Sequence, residues 1–331
     1  MGKTCSICNC ANKDSEFQTE VDYPDSHKKS SSIQDQDLNS KIIKIQSLWR
    51  GYRVRKSLKS KQKKFPTFSY FMNKGVQDFS QISHLSLDRE ERPPFKFKNG
   101  AIYIGQWRGT ARDGYGIQTW PDGAKYEGQW KDSKANGKGK FWHVNGDVYE
   151  GDWVEDKANG KGIYRQVNGA MYDGEWKNDL QHGIGKEVWA DKSKYEGGYV
   201  YGKKQGIGTY LWRDASWYSG GWFDNKINGK GIYRWPDGRE YNGDWKNGTM
   251  HGKGVYTWKD GRKYEGEYMN DKKHGYGEYL WADGKVFKGF WKGGKQDGIG
   301  TIVYPDGKIK KGEWVCGKRM KVLEDEENSL I

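Results

Sequence analysis

The sequence predicts an all-β fold: an elongated, single-layer antiparallel ribbon of stacked β-hairpins, preceded by a basic α-helix and a disordered N-terminus. Three observations predict it. A Tyr-x-Gly-x-Trp-like pentad recurs ten times at an unbroken spacing of 23 residues, its first position running from Tyr103 and Tyr126 to Phe287 and Lys310. A Gly-x-Gly signature follows in nine of these units, from Gly114 and Gly116 to Gly298 and Gly300. Within the pentads, aromatic residues and glycine alternate with polar ones, which is the period of a strand with one apolar face. A fixed short period without insertions means stacked supersecondary units, each burying its apolar face against its neighbours.

Taken in chain order, residues 1–40 are polar, net acidic and without sustained periodicity, and read as disordered. Ser40 can cap a helix over 41–64, which must end before Pro66. Its apolar residues Ile42, Ile45, Trp49 and Tyr52 follow the helical period, with Ile43 and Leu48 widening the stripe. This segment holds ten Lys or Arg and no Asp or Glu, so much of the net charge of +13 sits in one short stripe. Residues 65–94 read as a linker closing on Pro93-Pro94, and the array as 95–314, with a tail at 315–331. Inside a unit, the pentad strand (126–130, for example) is followed by a loop and a second strand from Gly137 to about His143. Pro-Asp-Gly at 121–123, 236–238 and 305–307 then reverses the chain, although Lys192 and Ala215 replace the turn glycine in two units. Twenty strands at about 4.8 Å would span on the order of 95 Å, and right-handed twist would make the aromatic face a shallow groove.

Composition narrows the class. Only 34% of residues are hydrophobic, yet 17 are Trp and 22 are Tyr, which suits a thin core of large rings rather than a thick globule. No run approaches the roughly 20 apolar residues of a membrane-spanning helix, and the N-terminus lacks a signal-peptide core. The expectation is therefore a cytoplasmic protein with reduced cysteines.

The pentads, for example Tyr-Glu-Gly-Gln-Trp at 126–130, together with His-Gly-Lys-Gly at 251–254, resemble the MORN-repeat family across 95–314. The resemblance implies a hairpin ribbon that serves as a scaffold or assembly module at membranes, cell cortex or cilia, and in some members as an arm of lipid kinases. Ile45, Gln46, Arg50, Gly51 and Arg55 resemble a complete IQ motif, which implies calmodulin or a related EF-hand protein as partner. Ile45 and Trp49 would fill its apolar groove, Arg50 and Arg55 would meet its acidic lobes, and Gly51 would permit close approach.

The opening Met-Gly-Lys-Thr-Cys-Ser fits N-myristoylation at Gly2. One acyl chain holds a bilayer only marginally, so a second signal is needed: palmitoylation at Cys5, Cys8 or Cys10, or attraction of the 41–64 stripe to an anionic membrane surface. A zinc site on Cys5 and Cys8 would need a second ligand pair, and only Cys10 and Cys316 remain. Metals, other cofactors and nucleic acid are not expected. The slot before Gly-x-Gly holds His182, His251 and His274, but Asp113, Asn136, Asn159, Gln205, Asn228 and Asp297 elsewhere. A position that accepts any small polar group reads as a turn residue rather than an acid or base, and no converging catalytic set is present. The function expected is a non-enzymatic scaffold on the cytoplasmic side of a membrane, binding calmodulin through its helix and a protein partner or second copy in the aromatic groove. The alternatives are a constitutive part of a cilium or cortical cytoskeleton, with calmodulin as a fixed subunit, and regulation of a phosphoinositide kinase in trans.

Overall fold

The computed structural model describes residues 70–71 and 88–326. The predicted N-terminal segment and basic helix, including Gly2, Cys5, Cys8, Cys10 and the Ile45–Arg55 set, lie outside the described residues.

Alternation of rings and polar residues gives strands of seven residues, and the Gly-x-Gly segments give strands of nine. They begin with β1 (Glu90–Lys96), β2 (Ile102–Arg108), β3 (Ala111–Thr119), β4 (Lys125–Lys131), β5 (Lys134–Trp142), β6 (Val148–Val154) and β7 (Lys157–Arg165). The same alternation continues in β8–β19 over 171–303 and closes with β20 (Ile309–Val315) and β21 (Lys318–Glu326). Each strand pairs antiparallel with the next in sequence, so the described strands form one open meander.

Four boundaries differ from the sequence reading. The loop inside each unit is only a two-residue turn, so the second strand starts at Lys134 rather than Gly137. Asp132 and Ser133 both adopt positive φ, 46° and 65°, the geometry of a type I′ hairpin turn that follows the twist of the strands. Gly137, with φ of 97°, does not open the strand but sits in a bulge, where the pairing passes from Gly128↔Gly139 to Trp130↔Ala135. The sheet begins at Glu90, ahead of Phe95, and takes in Pro93 and Pro94. An outermost strand tolerates them because its outer N–H groups have no ladder partner, and the pairing breaks between Arg92 and Phe95. At the other end, the expected tail supplies β21, so the pairing runs past Trp314. Finally, Tyr70 and Phe71 from the expected linker are helical and lie on the sheet.

Between units the chain turns through Trp120-Pro121-Asp122-Gly123-Ala124. Gly123 N–H donates to Trp120 O (3.0 Å), Trp120 N–H to Ala124 O (2.9 Å), and Asp122 Oδ1 accepts from Ala124 N–H (3.1 Å). Gly123 takes φ of 94°, and Lys192 and Ala215 are held at 71° and 66° in the same place. Units are also tied turn to strand: Asp156 N–H donates to Ala135 O (3.0 Å) while Asp156 Oδ1 accepts from Ala135 N–H (2.7 Å), and Asp179 repeats this on Ala158.

Candidate interaction surface

One face of the sheet carries every pentad ring. Tyr126 lies flat over the strand pair and donates its hydroxyl hydrogen to Gln129 O at 2.9 Å. A Cβ at Gly139 would stand 2.3 Å from that hydroxyl oxygen, so only glycine admits the ring there. Equivalent hydroxyl bonds recur from Tyr103 to Tyr264. The ring edges onto its own unit's Trp130 (4.9 Å between centroids, 83°) and onto Trp153 of the next (5.1 Å, 86°). Trp153 in turn donates its indole N–H to Gly139 O at 3.0 Å. This edge-to-face series is unbroken from Tyr103 to the Phe287–Trp314 pair, each contact adding about 0.5–1.5 kcal/mol beyond area burial. The rings are buried by glycine backbone and by each other, without a second sheet layer among the described residues. Burial pushes the zipper phenols upward, as for Tyr126 and Tyr149, so they remain neutral donors.

A second file of rings runs beside the zipper. From Trp189 it passes through Tyr210, Trp212, Tyr233, Trp235, Tyr256, Trp258 and Tyr279 to Trp281 at successive spacings of 4.4–5.7 Å. Trp189, Trp235, Trp258 and Trp281 are only half-buried. Nearer the N-terminus the file is Trp120, Phe141, His143 and Tyr164. Gln166 and Glu187 separate the two parts. Glu187 Oε2 accepts from the Tyr199 hydroxyl (2.8 Å) and faces Lys204 Nζ (3.4 Å), making a half-buried polar node.

Lys204 belongs to a slot that faces the rings once per unit, opposite the pentad Trp. It is filled by Arg112, Ala135, Ala158, Gln181, Lys204, Ile227, Met250, Lys273 and Gln296. Arg112 lies 4.1 Å from the Trp130 ring centroid and bonds Gln118 Oε1 and Ser133 O; burial lowers its guanidinium to about 10, still charged at neutral pH. Lys273 sits 3.8 Å from the Tyr279 centroid and 4.6 Å from Trp291, and burial pushes its ammonium well below the usual lysine range. These cations lie over ring faces, where the quadrupole attracts them.

The polar slot before Gly-x-Gly lies in the bulge rather than in a turn, and its role is acceptance. His182 Nδ1 accepts from Tyr201 N–H (3.4 Å), Asn228 Oδ1 from Asn247 N–H (3.4 Å), and Asp297 Oδ2 from Cys316 N–H (3.2 Å). His, Asn and Asp all serve because each offers an acceptor toward the next unit's turn. No group of three or more possible metal-ligating side chains occurs among the described residues, and Cys316 is exposed and outside any disulfide. The opposite face is solvated, with cross-strand pairs such as Lys230–Asp244 at 2.9 Å and Lys288–Glu278 at 3.1 Å. Where Gly198 and Gly221 interrupt the charged pairs, Ile184 and Ile207 stand exposed.

Among solved structures, the chain is similar to the TCP10 domain of Danio rerio CPAP in complex with a STIL peptide (12% identity, 72% of this chain and 99% of that one, TM-score 0.38). It is also similar to the SAS-4 TCP domain of Drosophila melanogaster (13% identity, 47% and 86%, TM-score 0.31). A third match is virginiamycin B lyase from Staphylococcus aureus (10% identity, 72% and 75%, TM-score 0.14). Comparison with curated proteins returns no match. The IQ calmodulin-binding motif matches residues 39–59. The MORN repeat matches nine consecutive segments, from 103–125 to 287–309, leaving the unit that opens at Lys310 unmatched. With that match covering most of its length, and with the ring zipper that each segment builds, the chain belongs to the MORN-repeat family.

Proposed function

We propose that this protein is a non-enzymatic scaffold that holds calmodulin or a related EF-hand protein at the cytoplasmic face of a membrane. The observation that carries the reading is the IQ match over 39–59, on the segment that concentrates the chain's positive charge. Ile45, Gln46, Trp49, Arg50, Gly51 and Arg55 make the calmodulin contacts. An acylated Gly2, with Cys5, Cys8 or Cys10 as palmitoylation sites, anchors the N-terminus. The basic residues of 41–64 add about 1 kcal/mol each when close to an anionic surface. Calmodulin and lipid therefore compete for one helix. The array, counted as ten units with the β20–β21 hairpin, is the assembly surface, its half-buried ring file meeting a protein partner.

The test is titration calorimetry of the full chain with calmodulin, with and without calcium, beside an Arg50→Glu/Arg55→Glu variant. Binding should weaken at least tenfold in the variant, about 1.4 kcal/mol or more. Equal affinity in the two chains would remove the reading. Flotation of the acylated protein on phosphatidylserine vesicles should fall when calmodulin is added; unchanged flotation rejects the competition.

A further inference from the structure

The ring face is not uniform along the array. Over β3–β6 it is already occupied by two residues from outside the sheet. Phe71 makes ring contacts with Trp120 (5.4 Å), Tyr126 (5.8 Å), Trp153 (5.8 Å), Phe141 (5.9 Å) and Trp130 (6.2 Å). Tyr70 packs on Trp120 (5.6 Å) and Phe141 (5.4 Å). Both are helical, and both rings meet the same face of the sheet. The sheet has room for them here for a reason legible in the slot opposite the pentad Trp. Ala135 and Ala158 occupy it at this place, paired with Trp130 and Trp153, whereas Ile227, Met250, Lys204 and Lys273 fill it further along. With two consecutive alanines, no long side chain stands in this slot opposite Trp130 and Trp153. Ala135 is wholly buried. Asp122, on the turn before β4, borders the Tyr70 phenol, so the contact has a polar edge beside an apolar floor.

We propose that β3–β7 form a seat for two adjacent aromatic side chains, and that the chain holds this seat closed with its own Tyr70 and Phe71. A partner segment bearing such a pair gains this part of the array only by displacing them. Size and shape set the selectivity: planar rings fit a gap roofed by edges of Trp and floored by Ala. The later units, with longer slot residues, do not accept the same insertion. The inference rests on reading the array as an assembly surface and adds where the seat is, what fits it and what keeps it closed.

The probe is a fluorescent peptide of residues 61–80 of this chain, titrated into the full-length protein and followed by anisotropy. Wild type should refuse it, and a Tyr70→Ala/Phe71→Ala chain should bind it at least tenfold more tightly. Adding Ala135→Met to that double variant should abolish binding, because the slot is then filled by a residue that it already holds at Met250. Far-ultraviolet circular dichroism verifies that each sheet is intact. Equal binding by wild type and double variant, no binding by either, or indifference to Ala135→Met would each overturn the proposal. Calmodulin titration of the same chains reads the IQ assignment separately, so failure of the seat and failure of that assignment give different results.

Discussion

His143 offers a titration that the repeat itself controls. It occupies the position that holds Trp120 one unit earlier and Trp189 two units later, packed 4.6 Å from Phe141 and 5.9 Å from Tyr164. Only 5% of its surface is exposed, and neither ring nitrogen has a hydrogen-bond partner among the described residues. Burial lowers its pKa from 6.5 to about 4, with nearby Asp147 opposing the shift. The unfolded chain therefore binds a proton below about pH 6.5 that the folded chain refuses, and stability falls as pH drops through that window. The full shift corresponds to about 3 kcal/mol, of which about 2 kcal/mol is lost between pH 7 and pH 5. Carboxylates titrate lower. Although burial works the other way, hydrogen bonds received by Asp113 and Asp147 hold both below the usual range, so their stabilisation is lost only in stronger acid. The assay is urea unfolding followed by Trp fluorescence at pH 7 and pH 5, for wild type and His143→Trp. The variant should lose about 2 kcal/mol less than wild type on acidification. An identical pH response in both chains would refute the assignment of the buried neutral imidazole.

Gly139→Ala should cost about 3 kcal/mol by driving a methyl into the Tyr126 hydroxyl, with amide exchange accelerating in β4–β6 before the distal units. Lys192→Gly and Ala215→Gly relieve positive φ at the two turns that lack glycine. Each should relieve about 0.5–1 kcal/mol of strain, less the entropy glycine adds to the unfolded chain, and so raise the urea midpoint.

The zipper was legible in the sequence because its requirement is chemical and periodic: Tyr126 needs glycine beneath it, and the spacing repeats that need unit after unit. Strand starts were less legible. Pairs such as Asp132-Ser133 or Glu155-Asp156 look like the middle of a loop, yet they are tight turns in which Asp, Asn or Glu replaces the more usual glycine. Pro93 and Pro94 suggested a linker because prolines disfavour interior strands, and an edge removes that objection. The slot facing the rings is not legible as a motif, since Arg112, Ala135, Ile227 and Lys273 share no chemistry that a pattern could capture. What could have exposed the polar node was its coordinated departure from the repeat: Glu187 in a ring position, Tyr199 in place of Trp, and Lys204 between them. The seat that accepts Phe71 depends on the absence of long side chains at two neighbouring slots. The clue lay in comparing units with one another rather than with a consensus.

Because each strand finds its hydrogen-bonding mate in the stretch of chain immediately before or after it, assembly requires no distant segment to arrive. Such local pairing favours quick ordering and allows hairpins to accrete on the ribosome as they emerge, each newcomer's indole covering the tyrosine ring left open by its predecessor. Loss or gain of a whole period would then change the length available to partners while leaving every surviving junction chemically intact.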